Sequence, residues 1–261
     1  MTTKDKPVAL IIGAGDHLGS AIARRFAKEG FHLVVTRRRG DLDLLSSEIQ
    51  ALGSSATAIH SDARDEDQVI ELIERVESEH GPIRVAVFNV GGNVRYDICE
   101  TSTRVYRKVW EMCALAGFLV GREVAKKMLQ RNEGTLLFTG ASASLRGGRG
   151  FAAFAGGKHA LRALAQSMAR ELGPQGIHVA HVVVDGLIRN RARRPRGNLL
   201  AATQPATLSL DFRARCAAFL REVVTPRRSC VGLSGAGYQP APVVPRRRSP
   251  APPGISEDPA S

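Results

Sequence analysis

Apolar residues recur along the first 190 residues with two alternating periods. Val8–Ile12 is an unbroken apolar run, the pattern of a short strand buried on both faces. Leu18, Ile22, Ala23 and Phe26 then recur at helical spacing, and Gly30 closes that helix. The alternation repeats down the chain. Strands are predicted at residues 33–35, 56–59, 85–90 and 134–138 and at Ile177–Val184. Helices are predicted at 42–52, Glu66–Glu79, 105–130 and Ala152–Leu172. Leu161, Leu164, Ala165, Met168 and Leu172 supply the buried stripe of the last helix, and Gly173-Pro174 ends it. Strands alternating with helices imply right-handed crossovers. The expected fold class is α/β, a Rossmann-type doubly wound parallel sheet with helices on both faces.

The pattern breaks near Arg189. Beyond it lie 10 of the 13 prolines and no lysine. A weak apolar face formed by Leu208, Phe212, Cys216, Phe219 and Leu220 allows one helix within 201–223. From Thr225 onward Pro, Arg, Gly and Ser dominate. Residues 1–189 therefore read as one α/β domain, and 190–261 as a basic, Pro/Arg-rich tail expected to be poorly ordered.

Charge adds to this division. The formal net charge is +12, but residues 191–261 hold 12 Arg against Asp211, Glu222, Glu257 and Asp258, a net of +8. The basic excess thus belongs mainly to the tail. Three readings of the tail stay open: a solvated extension, a weak polyanion-binding arm, and a reading-frame change in a GC-rich gene. Tyr238 stands alone, and Phe212 and Phe219 lie far from Arg246–Arg248, so nucleic acid is not an expected partner. No window approaches the ~18 consecutive apolar residues of a membrane span. The segment before the first strand is short and polar, unlike a signal peptide. Cys99, Cys113, Cys216 and Cys230 show neither metal-ligand spacing nor a disulfide framework. A reduced, cytoplasmic protein without a metal is expected.

Candidate chemistry sits at strand ends. Strand one runs into Ile12-Gly13-Ala14-Gly15-Asp16-His17-Leu18-Gly19, which opens a helix. A glycine turn in that context lets backbone N–H groups approach a phosphate, and the helix N-terminus adds partial positive charge. Strand two ends in Thr36-Arg37-Arg38-Arg39. An acidic residue there would hold ribose hydroxyls, whereas Arg37 and Arg38 favour a 2′-phosphate, hence NADP over NAD. A solvated basic loop is the competing reading. Asp62 follows strand three, and Asn89-Val90-Gly91-Gly92 ends strand four.

Together these motifs resemble the short-chain dehydrogenase/reductase family over residues 7–188. The resemblance implies cofactor contacts at Gly13, Gly15, His17, Leu18, Gly19, Arg37, Arg38, Asp62, Asn89 and Gly91, and at Lys158 through the nicotinamide ribose. His17 stands where the family has a middle glycine, and Ile12 where it has Thr. The resemblance weakens at the catalytic positions. Phe151 to Leu161 has the layout of the family's Tyr-x-x-x-Lys helix, with Phe154 in the Tyr position and Lys158 in place. Ala141 stands at the family's Ser, with Ser142 one step on, and Ala114 at its helical Asn. A phenol donates a proton and a phenyl ring cannot.

Phe154 reads either as packing or as contact with a nicotinamide face, and Ser142 either as a substrate contact or as a turn cap. The implied activity is NADP-preferring hydride transfer to or from a carbonyl, an alcohol or an activated C=C. A nucleotide-binding pseudoenzyme or scaffold is the alternative. The resemblance also implies a small-molecule substrate and a homo-oligomer formed through the long helix and the Lys158 helix.

Overall fold

In the computed structural model, residues 6–184 are described. The elements run β1 (Val8–Ile12), α1 (Leu18–Lys28), β2 (His32–Arg37), α2 (Asp43–Ala51), β3 (Ala56–His60), α3 (Glu66–Glu79), β4 (Ile83–Phe88), α4 (Thr103–Trp110), a π turn (Glu111–Leu115), α5 (Ala116–Leu129), β5 (Gly134–Ala141), α6 (Ala152–Leu172) and β6 (Ile177–Val184). The strands form one sheet in the order β3-β2-β1-β4-β5-β6, and every neighbouring pair is parallel. This is the expected doubly wound α/β sheet. The break of the pattern near Arg189, the predicted helix within 201–223 and the rest of the tail lie outside the described residues.

Alternation along β1 explains the two layers. Val8, Leu10 and Ile12 pack with Val69, Leu72, Ile73 and Val76 of α3 and with apolar residues of α5 and α6. Ala9 and Ile11 face the other way, against Ala23 and Phe26 of α1 and Leu45 and Ile49 of α2. All five β1 residues are buried, which is why the strand carries no polar position. Strand order reverses between the neighbours β1 and β4, and opens a crevice beyond their carboxyl ends.

Three elements depart from the sequence reading. The helix expected over 105–130 starts at Thr103, capped by the Ser102 side chain on the Val105 N–H, and is interrupted by the π turn at Glu111–Leu115. Strand β4 ends at Phe88, two residues before the predicted end, because the chain leaves the ladder to form the Asn89–Gly92 loop. Strand β5 continues to Ala141 because β6 pairs with it over its whole length.

The π turn has a packing context. A Cβ placed on Gly157 of α6 would lie 2.9 Å from Cys113 Cβ. Gly157 therefore lets the π turn approach α6 closely, and Leu161 fills the space above Gly117.

Candidate active site

The glycine turn is locked from below. Asn89 receives its backbone position from an N–H bond to Ile12 O (2.8 Å) and donates its side-chain amide to Gly13 O (3.0 Å). Gly13 has φ +86, and a Cβ there would sit 2.6 Å from Asn89 O, so both its conformation and its space require glycine. A Cβ on Gly19 would sit 2.3 Å from Gly13 O, so α1 meets β1 only because Gly19 has none. Gly15 faces open space. No side chain caps α1 at His17, and its first turn holds no acidic residue. Among the described residues, the N–H groups of Asp16, His17, Leu18 and Gly19 have no acceptor. Four unpaired donors at a helix N-terminus suit an anionic group. His17 is exposed and Leu18 half-buried.

Beyond the ends of β2 and β3, Arg37 and Arg38 take different partners. Arg37 pairs with Asp16 (Nη1 to Oδ1, 2.8 Å) and also donates to Asp41 O (3.2 Å). Arg38 lies 3.8 Å from Asp62 and its side chain is 46% exposed. Arg64 holds Asp62 through two bonds, of 2.9 and 2.5 Å. These bonds keep the Asp62 carboxyl below the usual carboxylate range. Asp16 and Arg64 were not among the residues singled out from the sequence. Asp16 meets its partner Arg37 from a separate loop, whereas Arg64 lies two residues from Asp62.

At the other end of the crevice, Lys158 is buried, at 4% exposure. Its Nζ donates to Val90 O (3.1 Å) and Thr139 O (2.8 Å), joining the ends of β4 and β5. An ammonium has three N–H donors, so one remains. A Cβ on Gly91 would lie 3.2 Å from Lys158 Nζ. Burial lowers the Lys158 pKa, opposed by the nearby Cys113. Phe154 is also buried, packed with Val109, Cys113 and Ala153, and its ring centroid is 6.0 Å from Lys158 Nζ. Ala114, at the expected helical Asn, is buried in the π turn.

The two hydroxyls beyond β5 separate as well. Ser144 is fully buried and accepts the Ala141 N–H (3.1 Å). Ser142 is half-buried, and its hydroxyl has no hydrogen-bond partner among the described residues. Neither remaining phenol replaces the missing one. A Cβ on Gly156 would lie 2.7 Å from the Tyr106 hydroxyl, on the far side of α6 from Phe154. Tyr96 lines a cavity of about 450 Å³ with Ile98, Arg149, Gly150 and Ala152, at the mouth of α6. His159 is exposed and bonds back to Ala155 O (2.9 Å).

The profile of the family described as short chain dehydrogenase matches residues 7–195. The chain belongs to the short-chain dehydrogenase family. The solved structure of a short-chain dehydrogenase from Rhodopseudomonas palustris is 52% identical, with a TM-score of 0.66 over 68% of this chain and 84% of that one. NAD+-bound xylitol dehydrogenase is 25% identical, with a TM-score of 0.67 over 69% of this chain and 70% of that one. A substituted form of actinorhodin polyketide ketoreductase with NADPH is 28% identical, with a TM-score of 0.67 over 70% of this chain and 71% of that one. In this short-chain dehydrogenase the features that fit a nicotinamide dinucleotide are the uncapped glycine turn, the fixed Asn89 and the unspent Lys158 donor. Among the described residues no cluster of His, Cys, Asp and Glu suits a metal, and no helix is long and apolar enough to cross a membrane.

Proposed function

We propose that the chain is an NADP-preferring oxidoreductase that reduces or oxidises a small molecule through a modified short-chain site. The carrying observation is that Lys158 is fixed by two strand-end carbonyls and still has one donor to offer. The glycine turn, with Gly13, Gly15, His17, Leu18 and Gly19, would hold the pyrophosphate, Arg37 and Arg38 the 2′-phosphate, and Asp62 the adenine end. Asn89 and Gly91 would shape the floor beside the nicotinamide, and Lys158 would hold its ribose. The bound dinucleotide supplies or accepts the hydride.

Ser142 is the available hydroxyl for a substrate oxygen, since Ser144 is committed to the backbone. Phe154 excludes water beside Lys158 but supplies no proton. That favours substrates needing an oxyanion partner more than a proton donor, and an enone or enoyl thioester fits better than a simple ketone. The exposed Tyr106, Trp110 and Phe118 on α4 and α5 support a homo-oligomer through these helices and α6. Free Cys99 and Cys113 support a reducing, cytoplasmic location.

The test is a fluorescence titration with NADPH and with NADH, followed by turnover on enones. Saturable binding with NADPH tighter, together with enone reduction, is expected. Binding without turnover would instead support a pseudoenzyme, and absence of binding in a folded sample would defeat the reading.

A further inference from the structure

We propose that Asp16 is an internal competitor for the cofactor's 2′-phosphate and thereby sets how strongly this protein discriminates NADPH from NADH. The inference rests on the dinucleotide-binding reading above and concerns the Arg37 end of the site.

Arg37 is a fixed cation. It is the last residue of β2, and its guanidinium lies over Gly40, where a Cβ would meet Nη2 at 2.7 Å and φ is +94. Its Nη1 donates to Asp41 O and to Asp16 Oδ1. Its side chain is 23% exposed, against 76% for Asp16. The pair therefore joins a clamped arginine to an exposed carboxylate.

Asp16 also lies within the glycine turn, among the unpaired amides at the start of α1. A carboxylate at an anion-binding turn opposes phosphates, and its pairing with Arg37 masks that charge. A second anion at Arg37 cannot simply be added, because the carboxylate and a phosphate on one guanidinium repel each other. The 2′-phosphate must displace Asp16, which can swing into water because it is mostly exposed. NADH lacks that phosphate and leaves the pair intact. The cost of breaking the pair therefore falls on NADPH alone. Arg38 carries no such burden, since its partner Asp62 is already held by Arg64.

The test is a double-mutant cycle, D16N and R37Q singly and together, read by NADPH and NADH titration and by competition with 2′,5′-ADP and with 5′-AMP. D16N is expected to tighten NADPH and 2′,5′-ADP about tenfold while changing NADH and 5′-AMP less than about threefold. D16E is expected to restore wild-type discrimination. On the R37Q background, D16N is expected to change the ratio no further. An unchanged NADPH/NADH ratio in D16N, an equal change for both cofactors, or a shift that persists without Arg37 would overturn the proposal. Wild-type preference for NADH would defeat the NADP reading by itself. The shift caused by D16N would still decide the role of Asp16. Binding of neither cofactor by wild type or D16N would overturn both.

Discussion

Restoring a phenol at position 154 tests the reading of the site most directly. Phe154→Tyr adds one hydroxyl to a ring that is buried among Val109, Cys113 and Ala153 and stands 6.0 Å from the Lys158 ammonium. Two terms decide the outcome. If the unspent Lys158 donor or solvent in the crevice satisfies the new oxygen, the hydroxyl is nearly neutral for stability. If it is orphaned, burial costs about 1–3 kcal/mol, or roughly 2–12 °C in Tm for a domain of this size. The geometry favours the first outcome, because Phe154 and Lys158 are one turn apart on the same face. We expect Tm to stay within ~3 °C of wild type.

For turnover, a positioned general acid contributes about 10²–10⁴-fold. Here Ala141 and Ala114 leave the usual partners missing, so the expected gain on simple carbonyls is about tenfold to a hundredfold. The assay follows NADPH consumption with a ketone panel and an enone panel, alongside NADPH affinity. A pH profile should gain a limb from the new phenol, with its pKa drawn down by the neighbouring ammonium. A folded F154Y that binds NADPH like wild type but reduces ketones no faster would refute the assignment of this helix to the reacting centre.

The two serines beyond β5 should separate cleanly. S142A should leave Tm unchanged and reduce turnover about tenfold to a hundredfold, whereas S144A should orphan the Ala141 N–H and cost about 1–2 kcal/mol of stability. Loss of turnover in S144A with full activity in S142A would reverse the assignment. Acid should destabilise the fold through His32. Burial, and then the charges of His80 and Lys6, push its pKa down to about 4. Neutral His32 bonds to Ser55 (2.7 Å) and Thr57 (3.3 Å) and stacks on His80 at 4.8 Å. Because the folded pKa lies below the unfolded value, this stability is complete above about pH 6.5 and is lost as pH falls toward about 4. The loss reaches on the order of 3 kcal/mol at most. Thermal melts across that range should show the slope, and H32Q should flatten it without abolishing it, since His80, His178 and His181 are lowered in the same sense. An unchanged slope in H32Q would exclude His32.

What the sequence determined by itself is local and periodic. The unbroken apolar run of β1, the helical stripes closed by glycine, and the strand–turn–helix context of Gly13–Gly19 were legible because each depends on neighbours within about a turn or a strand. They sufficed for the α/β sheet and for the place of the crevice. The break of the long helix at Glu111–Leu115 was not legible, since Met112-Cys113-Ala114 continues a good helical pattern and the π turn is set where that segment packs on Gly157. The extension of β5 to Ala141 required β6 beside it.

The site divides in the same way. The resemblance to the short-chain family pointed to positions 154, 158 and 142, but the hydrogen bonds that commit Ser144 and leave Ser142 free come from tertiary placement. Likewise, three consecutive arginines look equivalent in sequence. Only the approach of the glycine turn to the end of β2 gives Arg37 to Asp16, and only the loop after β3 places Asp62 and Arg64 beside Arg38. Charge pairing of this kind depends on distances between segments remote in sequence, and no local periodicity encodes them.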